Sequence, residues 1–135
     1  MKTIITAALL AASLTQPAMA AETPEIHGQV APADRYFGKT KISILGIRNM
    51  ISDLGVMVVS KPEMVKDVLH KAEFAEQAMH EWAEQFPEDP WLSGYAHNLV
   101  TLYEKCSSEE GGKRRRAAQD WFNEHFPESQ FAEPF

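Results

Sequence analysis

Apolar side chains recur at helical spacing through most of this chain, in four blocks separated by proline, glycine or serine. In the first block Ile44, Ile47, Ile51 and Leu54 stand three and four apart, with Leu45 beside them. This predicts a helix from Tyr36 or Thr40 to Leu54, which Gly55 is placed to end. Val56 to Val59 then form either a buried final turn or a short extended connector. The second block, Val65, Val68, Leu69, Ala72, Ala75, Met79, Trp82 and Phe86, is one continuous stripe that Pro87 stops. Its start carries Ser60 with Glu63, a capping-box pattern, and Pro62 in the first turn. The third opens at Asp89-Pro90 and carries Leu92, Tyr95, Ala96, Leu99, Leu102, Tyr103 and Cys106. The fourth follows a connection over Ser107 to Gly112 and carries Ala118, Trp121, Phe122, His125 and Phe126 before Pro127. No segment alternates convincingly as a strand. Each helix has one apolar face and is unstable alone, so short turns should pack neighbours antiparallel. The expected fold is all-α, about four antiparallel helices over residues 36–135.

An internal echo runs through the second half. Ala78, Glu84, Phe86, Pro87 and Glu88 reappear forty residues later as Ala118, Glu124, Phe126, Pro127 and Glu128. Trp82 and Trp91 fall opposite Phe122 and Phe131. A period of 20–50 residues in a helical chain marks stacked hairpins, each covering the open face of the last. The steps Phe86-Pro87-Glu88-Asp89 and Phe126-Pro127-Glu128-Ser129, with Leu99 and Tyr103 one turn apart on the partner helix, resemble tetratricopeptide-type repeats of bacterial envelope proteins. Ala75 and Met79 suit that family's packing positions, whereas Val100 and Arg115 stand where it prefers small residues. The resemblance spans residues 62–132. It implies stacked helical hairpins that bind another envelope protein or peptide, through a concave face or an uncovered end, and self-association is a further expectation.

The N-terminus changes the expected compartment. Lys2, the apolar run Ile4 to Leu14 and the Ala18-Met19-Ala20 site have the three-part layout of a secretory signal peptide over residues 1–20, cleaved after Ala20. A periplasmic or secreted protein is therefore expected, with residues 21–35 as an extended lead-in containing Pro24, Gly28 and Pro32. No later segment approaches the roughly 20 apolar residues of a membrane span, so stable membrane insertion is not expected. The net charge is −6, which disfavours nucleic acid as a partner. Cys106 is the single cysteine, so no intramolecular disulfide is available, and its place on a stripe predicts burial.

Candidate chemistry is sparse. Glu76, His80 and Glu84 lie four apart on the second helix, with His97 on the third, a carboxylate–imidazole set for a divalent cation. It lacks paired-histidine spacing, so a solvated helix face accounts for it, and a small-ligand or metal-binding bundle is the alternative reading. His27, His70 and His125 have no nucleophile beside them in sequence, and His125 suits a helix C-terminus. No motif for a cofactor or for catalysis is recognisable. Lys113 to Arg116 is a run of four cations. Glu109 and Glu110 stand four residues before the first two and should pair with them, leaving Arg115 and Arg116 as charged contacts for a partner. Phe74, Phe131 and Phe135 fall off the stripes, and exposed aromatics often anchor protein contacts. Tyr36 and Phe37 are expected either to staple the lead-in or to serve as a docking site.

Overall fold

A computed structural model describes residues 30–133. The signal peptide expected over residues 1–20, most of the lead-in, His27 and Phe135 lie outside the described residues. The described chain is all-α apart from a minimal hairpin of β1 (Tyr36–Phe37) and β2 (Ile42–Ser43), paired antiparallel. Four helices follow: α1 (Ile44–Ser60), α2 (Val65–Gln85), α3 (Leu92–Lys105) and α4 (Glu109–His125), with a 3-10 turn at Pro62–Met64 before α2.

The hairpin replaces the early helix start. Its turn needs Gly38, whose φ is +73° and which approaches Ala78 so closely that a Cβ there would lie 3.1 Å from the α2 backbone. The hairpin thereby delivers Phe37 into the core, where it stacks on Trp82 at 6.2 Å and meets Phe86 edge-on. α1 opens only at Ile44, capped by the Ser43 hydroxyl, which accepts the Gly46 N–H.

Gly55 does not end α1. It lies buried inside the helix against Leu102, and the helix continues because Val58 is buried in the next turn. Val56 to Val59 are therefore helical. The capping box is also corrected: Ser60 belongs to α1, and its hydroxyl donates back to the Val56 and Met57 carbonyls instead of capping α2. Likewise Gly111 and Gly112 lie in the first turn of α4, capped by Ser108, not in the connection. A Cβ at Gly111 would fall 2.1 Å from the Cys106 carbonyl oxygen, so the tight α3–α4 turn requires glycine.

One corner recurs three times. Lys61, Phe86 and Phe126 each precede a proline, which disfavours helical backbone. Each leaves the helix at φ between −131° and −137° while its N–H donates to the carbonyl four residues back. After Phe86 and Phe126 the match extends further. Asp89 N–H and Ser129 N–H donate back to the Phe carbonyls, as Met64 N–H does to Lys61, and in these two corners alone Leu92 N–H and Ala132 N–H then donate to Asp89 and Ser129.

α1 packs on α2 and α3, and α4 packs chiefly on α3. With α1–α2 and α2–α3 joined by short turns, α1 and α3 run side by side in one direction. The core between them holds Trp82, Tyr103, Phe37, Phe122, Ile47 and Met79, all nearly or fully buried. Cys106 is buried, as its stripe position predicts, and its thiol donates to the Leu102 carbonyl. Burial pushes that thiol above its usual pKa, with Arg114 opposing. Among the described residues no helix is long and apolar enough to cross a membrane.

Candidate functional site

The acidic face of α2 is used largely by the fold itself. Glu76 accepts the Tyr103 hydroxyl at 2.6 Å, Glu81 accepts the Gly38 N–H at 2.7 Å, and Glu73 pairs with Arg114. His80 is half-buried and stacks on Trp121 at 4.5 Å, and His125 stacks on the same indole at 4.1 Å. His125 also bonds the Trp121 carbonyl through Nδ1, closing the end of α4. Desolvation lowers the His80 pKa, assisted by His125 and opposed by Glu76 and Glu84. His97 lies elsewhere, stacked on Phe131 at 3.9 Å. Among the described residues no three His, Cys, Asp or Glu side chains converge as a metal site. Of the candidate set, Glu76, His80 and Glu84 line one open groove on α2 with Lys39 beside them, while His97 stays apart on α3.

The basic run divides unevenly. Lys113 pairs with Glu109, and Arg114 with Glu110, as the spacing predicts. Arg114 also reaches Glu73 and the Leu69 carbonyl, tying α4 to α2. Burial alone would lower its pKa, but the bonds to Glu110, Glu73 and Tyr103 outweigh that and hold the guanidinium above its usual value. Tyr103 is held well above the ordinary phenol range by burial and by Glu76. Arg115 bonds Glu104 and Glu133. Arg116 is exposed, with no carboxylate partner among the described residues.

The aromatics expected at a docking surface also divide. Phe37 is fully buried and acts as the staple, not as a docking side chain. Phe74 is half-buried with His70 edge-on to it, and Phe131 is partly covered by His97. Tyr36 is exposed. Trp91, expected with Trp82, Tyr95, Tyr103, Trp121 and Phe122 to pack in the core, is instead more exposed than any of these at 63%, because it lies in the turn before α3 and not on the helix's buried face.

A separate surface went unread in the sequence. On α1, Val56 and Val59 are 67% and 64% exposed, and Leu45 is exposed on the same outward side. Beside them α1 and α3 enclose an open groove of about 630 Å³, floored by Ile51, Gly55 and Leu102 and edged by Arg48 and Lys105. The signal for it lay in the pattern, because Leu45, Val56 and Val59 fall off the Ile44-Ile47-Ile51-Leu54 stripe and put apolar residues, interrupted by Asn49 and Ser52, on a second side of α1.

Fold and surface together define an all-α protein of four helices, in which Glu73, Glu76 and Arg114 tie helices together and the first helix exposes Leu45, Val56 and Val59. Comparison with protein-family models, curated proteins and solved structures returns no match for this chain.

Proposed function

We propose that this chain is an exported helical-hairpin protein acting as a protein–protein interaction or scaffold module of the cell envelope. The exposed apolar side chains and the groove on α1 carry this reading, because a helix face left open beside a filled core is what a partner helix covers. The distribution of the polar groups supports it: Glu73, Glu76, Glu81, His80 and Arg114 are engaged in contacts within the fold. The recurring proline corners support a tetratricopeptide-like stacking of hairpins, in which end faces are binding surfaces. Export rests on the signal-peptide layout of residues 1–20.

The test has two arms. Cell fractionation with intact-mass measurement should find the chain in the envelope or medium, beginning at Ala21. Cross-linking in that compartment should enrich one partner reproducibly, and Val56→Asp should reduce it more than Arg116→Glu. Retention of residues 1–20 on a cytosolic chain would refute export. No partner enriched over a denatured-chain control would refute the interaction role.

A further inference from the structure

The α1–α3 groove differs electrostatically from the rest of this acidic chain. Arg48 and Lys105 edge it, both exposed, and neither has a carboxylate at ion-pair distance among the described residues. No carboxylate lines it either. Asp53 and Glu104, the acids of these two helices, are not among its lining residues, and Glu104 pairs with Arg115. By contrast, Lys113, Arg114 and Arg115 are all paired. A net charge of −6 coexists with a groove of mixed lining, in which Ile51, Leu102, Val56 and Val59 are joined by Ser52, Ser60, Asn98 and Thr101 and by two cations that await counter-charges.

Geometry sets their spacing. The Lys105 ammonium lies 3.5 Å from where a Cβ at Gly55 would stand. Gly55 follows Arg48 by seven residues on α1, so the backbone positions that carry Arg48 and face Lys105 are about 10 Å apart along the helix. That distance is two helical turns. Between them lie Ile51 and Leu102, and Val56 and Val59 extend the apolar surface beyond.

Gly55 itself points the same way. A glycine inside a helix costs about 1 kcal/mol relative to alanine. The chain's own packing does not require it, since a Cβ there would make only ordinary contacts of 3.5 Å and 3.9 Å. Gly111, whose Cβ would collide with backbone, shows what an internally required glycine looks like. Without a side chain at Gly55, the Lys105 ammonium settles over that turn of α1.

We infer that the α1–α3 groove receives an amphipathic helix of another protein, carrying carboxylates at positions i and i+7 on either side of an aliphatic residue at i+3 or i+4. This deepens the interaction role proposed above and rests on it. The carboxylates meet Arg48 and Lys105, the aliphatic side chain sits between those two cations against Ile51 and Leu102, and a further apolar residue covers Val56 and Val59. An anionic membrane surface matches less well, because the apolar surface is narrow and the surrounding protein is acidic.

The probe is a labelled synthetic helix of about five turns with Glu at i and i+7 and Leu at i+3, i+4 and i+11. Its control has both Glu replaced by Lys, and the readout is anisotropy with the purified full chain. The Glu helix should bind about tenfold more tightly than the Lys helix. Arg48→Glu with Lys105→Glu should reverse that preference. Gly55→Leu should weaken both while circular dichroism shows the helices intact. Equal binding of the two helices, or a preference unchanged by the charge reversal, would overturn the inference. So would co-sedimentation with phosphatidylglycerol vesicles lost in the double variant, or concentration-dependent dimerisation lost in Val56→Asp, since these name a membrane or a second copy as the occupant. A cross-linked native partner held equally well by the double variant would sink the groove assignment yet leave the interaction role standing.

Discussion

Asp89 should be among the costliest single polar residues to remove. Its carboxylate is buried in the turn between α2 and α3, where Oδ2 accepts the Ala31 N–H at 2.9 Å and the Trp82 indole N–H at 3.0 Å. Oδ1 accepts the Trp91 N–H at 3.0 Å. One side chain thus joins the lead-in, the core tryptophan and the entry to α3. Hydrogen bonds to a charged acceptor contribute about 1.5–3 kcal/mol each, and a buried donor left alone costs about 1–3 kcal/mol. Water can replace the acceptor at the exposed Trp91, but not at Ala31 or at Trp82, which is fully buried. Asp89→Ala should therefore cost about 3–4 kcal/mol, a large share of the 5–15 kcal/mol typical of a domain. Asparagine should not restore it, because its amide nitrogen would face one set of donors. Urea denaturation of wild type, Asp89→Ala, Trp82→Phe and the double variant should give a coupling of about 1.5–3 kcal/mol. Hydrogen exchange at the Ala31 amide should accelerate in Asp89→Ala. A loss below about 1 kcal/mol, or no coupling, would refute the reasoning.

Three further expectations can be checked by the same denaturation measurements. Gly111→Ala should destabilise by several kcal/mol through its collision with the Cys106 carbonyl, whereas Gly112→Ala, with nothing within 4 Å of its Cβ, should stabilise by about 0.5–1 kcal/mol. Arg114→Met should cost about 1–2 kcal/mol through lost bonds to Glu73, Glu110 and Leu69, and lysine should not rescue it, lacking the planar fork. His80 has a lowered pKa in the fold, so the unfolded chain binds its proton first on acidification. Its contribution is thus intact above the unfolded value of 6.5 and declines as pH falls from there towards the folded value. Wild type should lose stability over that window more steeply than His80→Gln; equal slopes would contradict this.

The helices were largely legible because the stripes of α2 and α3 lie on one face and the prolines stop them locally. The errors fell where tertiary contacts override local signals. Gly55 and the glycine pair at 111–112 look like breaks, but one lies against Leu102 and the other begins a helix whose turn needs glycine. Ser60 and Glu63 match a capping box, yet burial of Val58 carries α1 past the point where that cap would act. The hairpin at Tyr36–Ser43 has two-residue strands, too short for any alternation to register. At the surface, Glu76 and His80 were read as solvated, while the fold places Tyr103 and Trp121 against them from other helices. Asp89 was legible as a helix-start residue, but its bond to Trp82 depends on how α2 and α3 meet.

The three proline corners bear on how such a chain tolerates change. Because each exit is dictated by one pre-proline residue and the carbonyl four behind it, the direction in which the backbone departs is settled within five residues, before any distant packing is made. Insertions beyond a corner can alter the length or identity of the following helix without disturbing the one already terminated. Joints of this kind let evolution revise the surface of one hairpin while its neighbours keep their geometry.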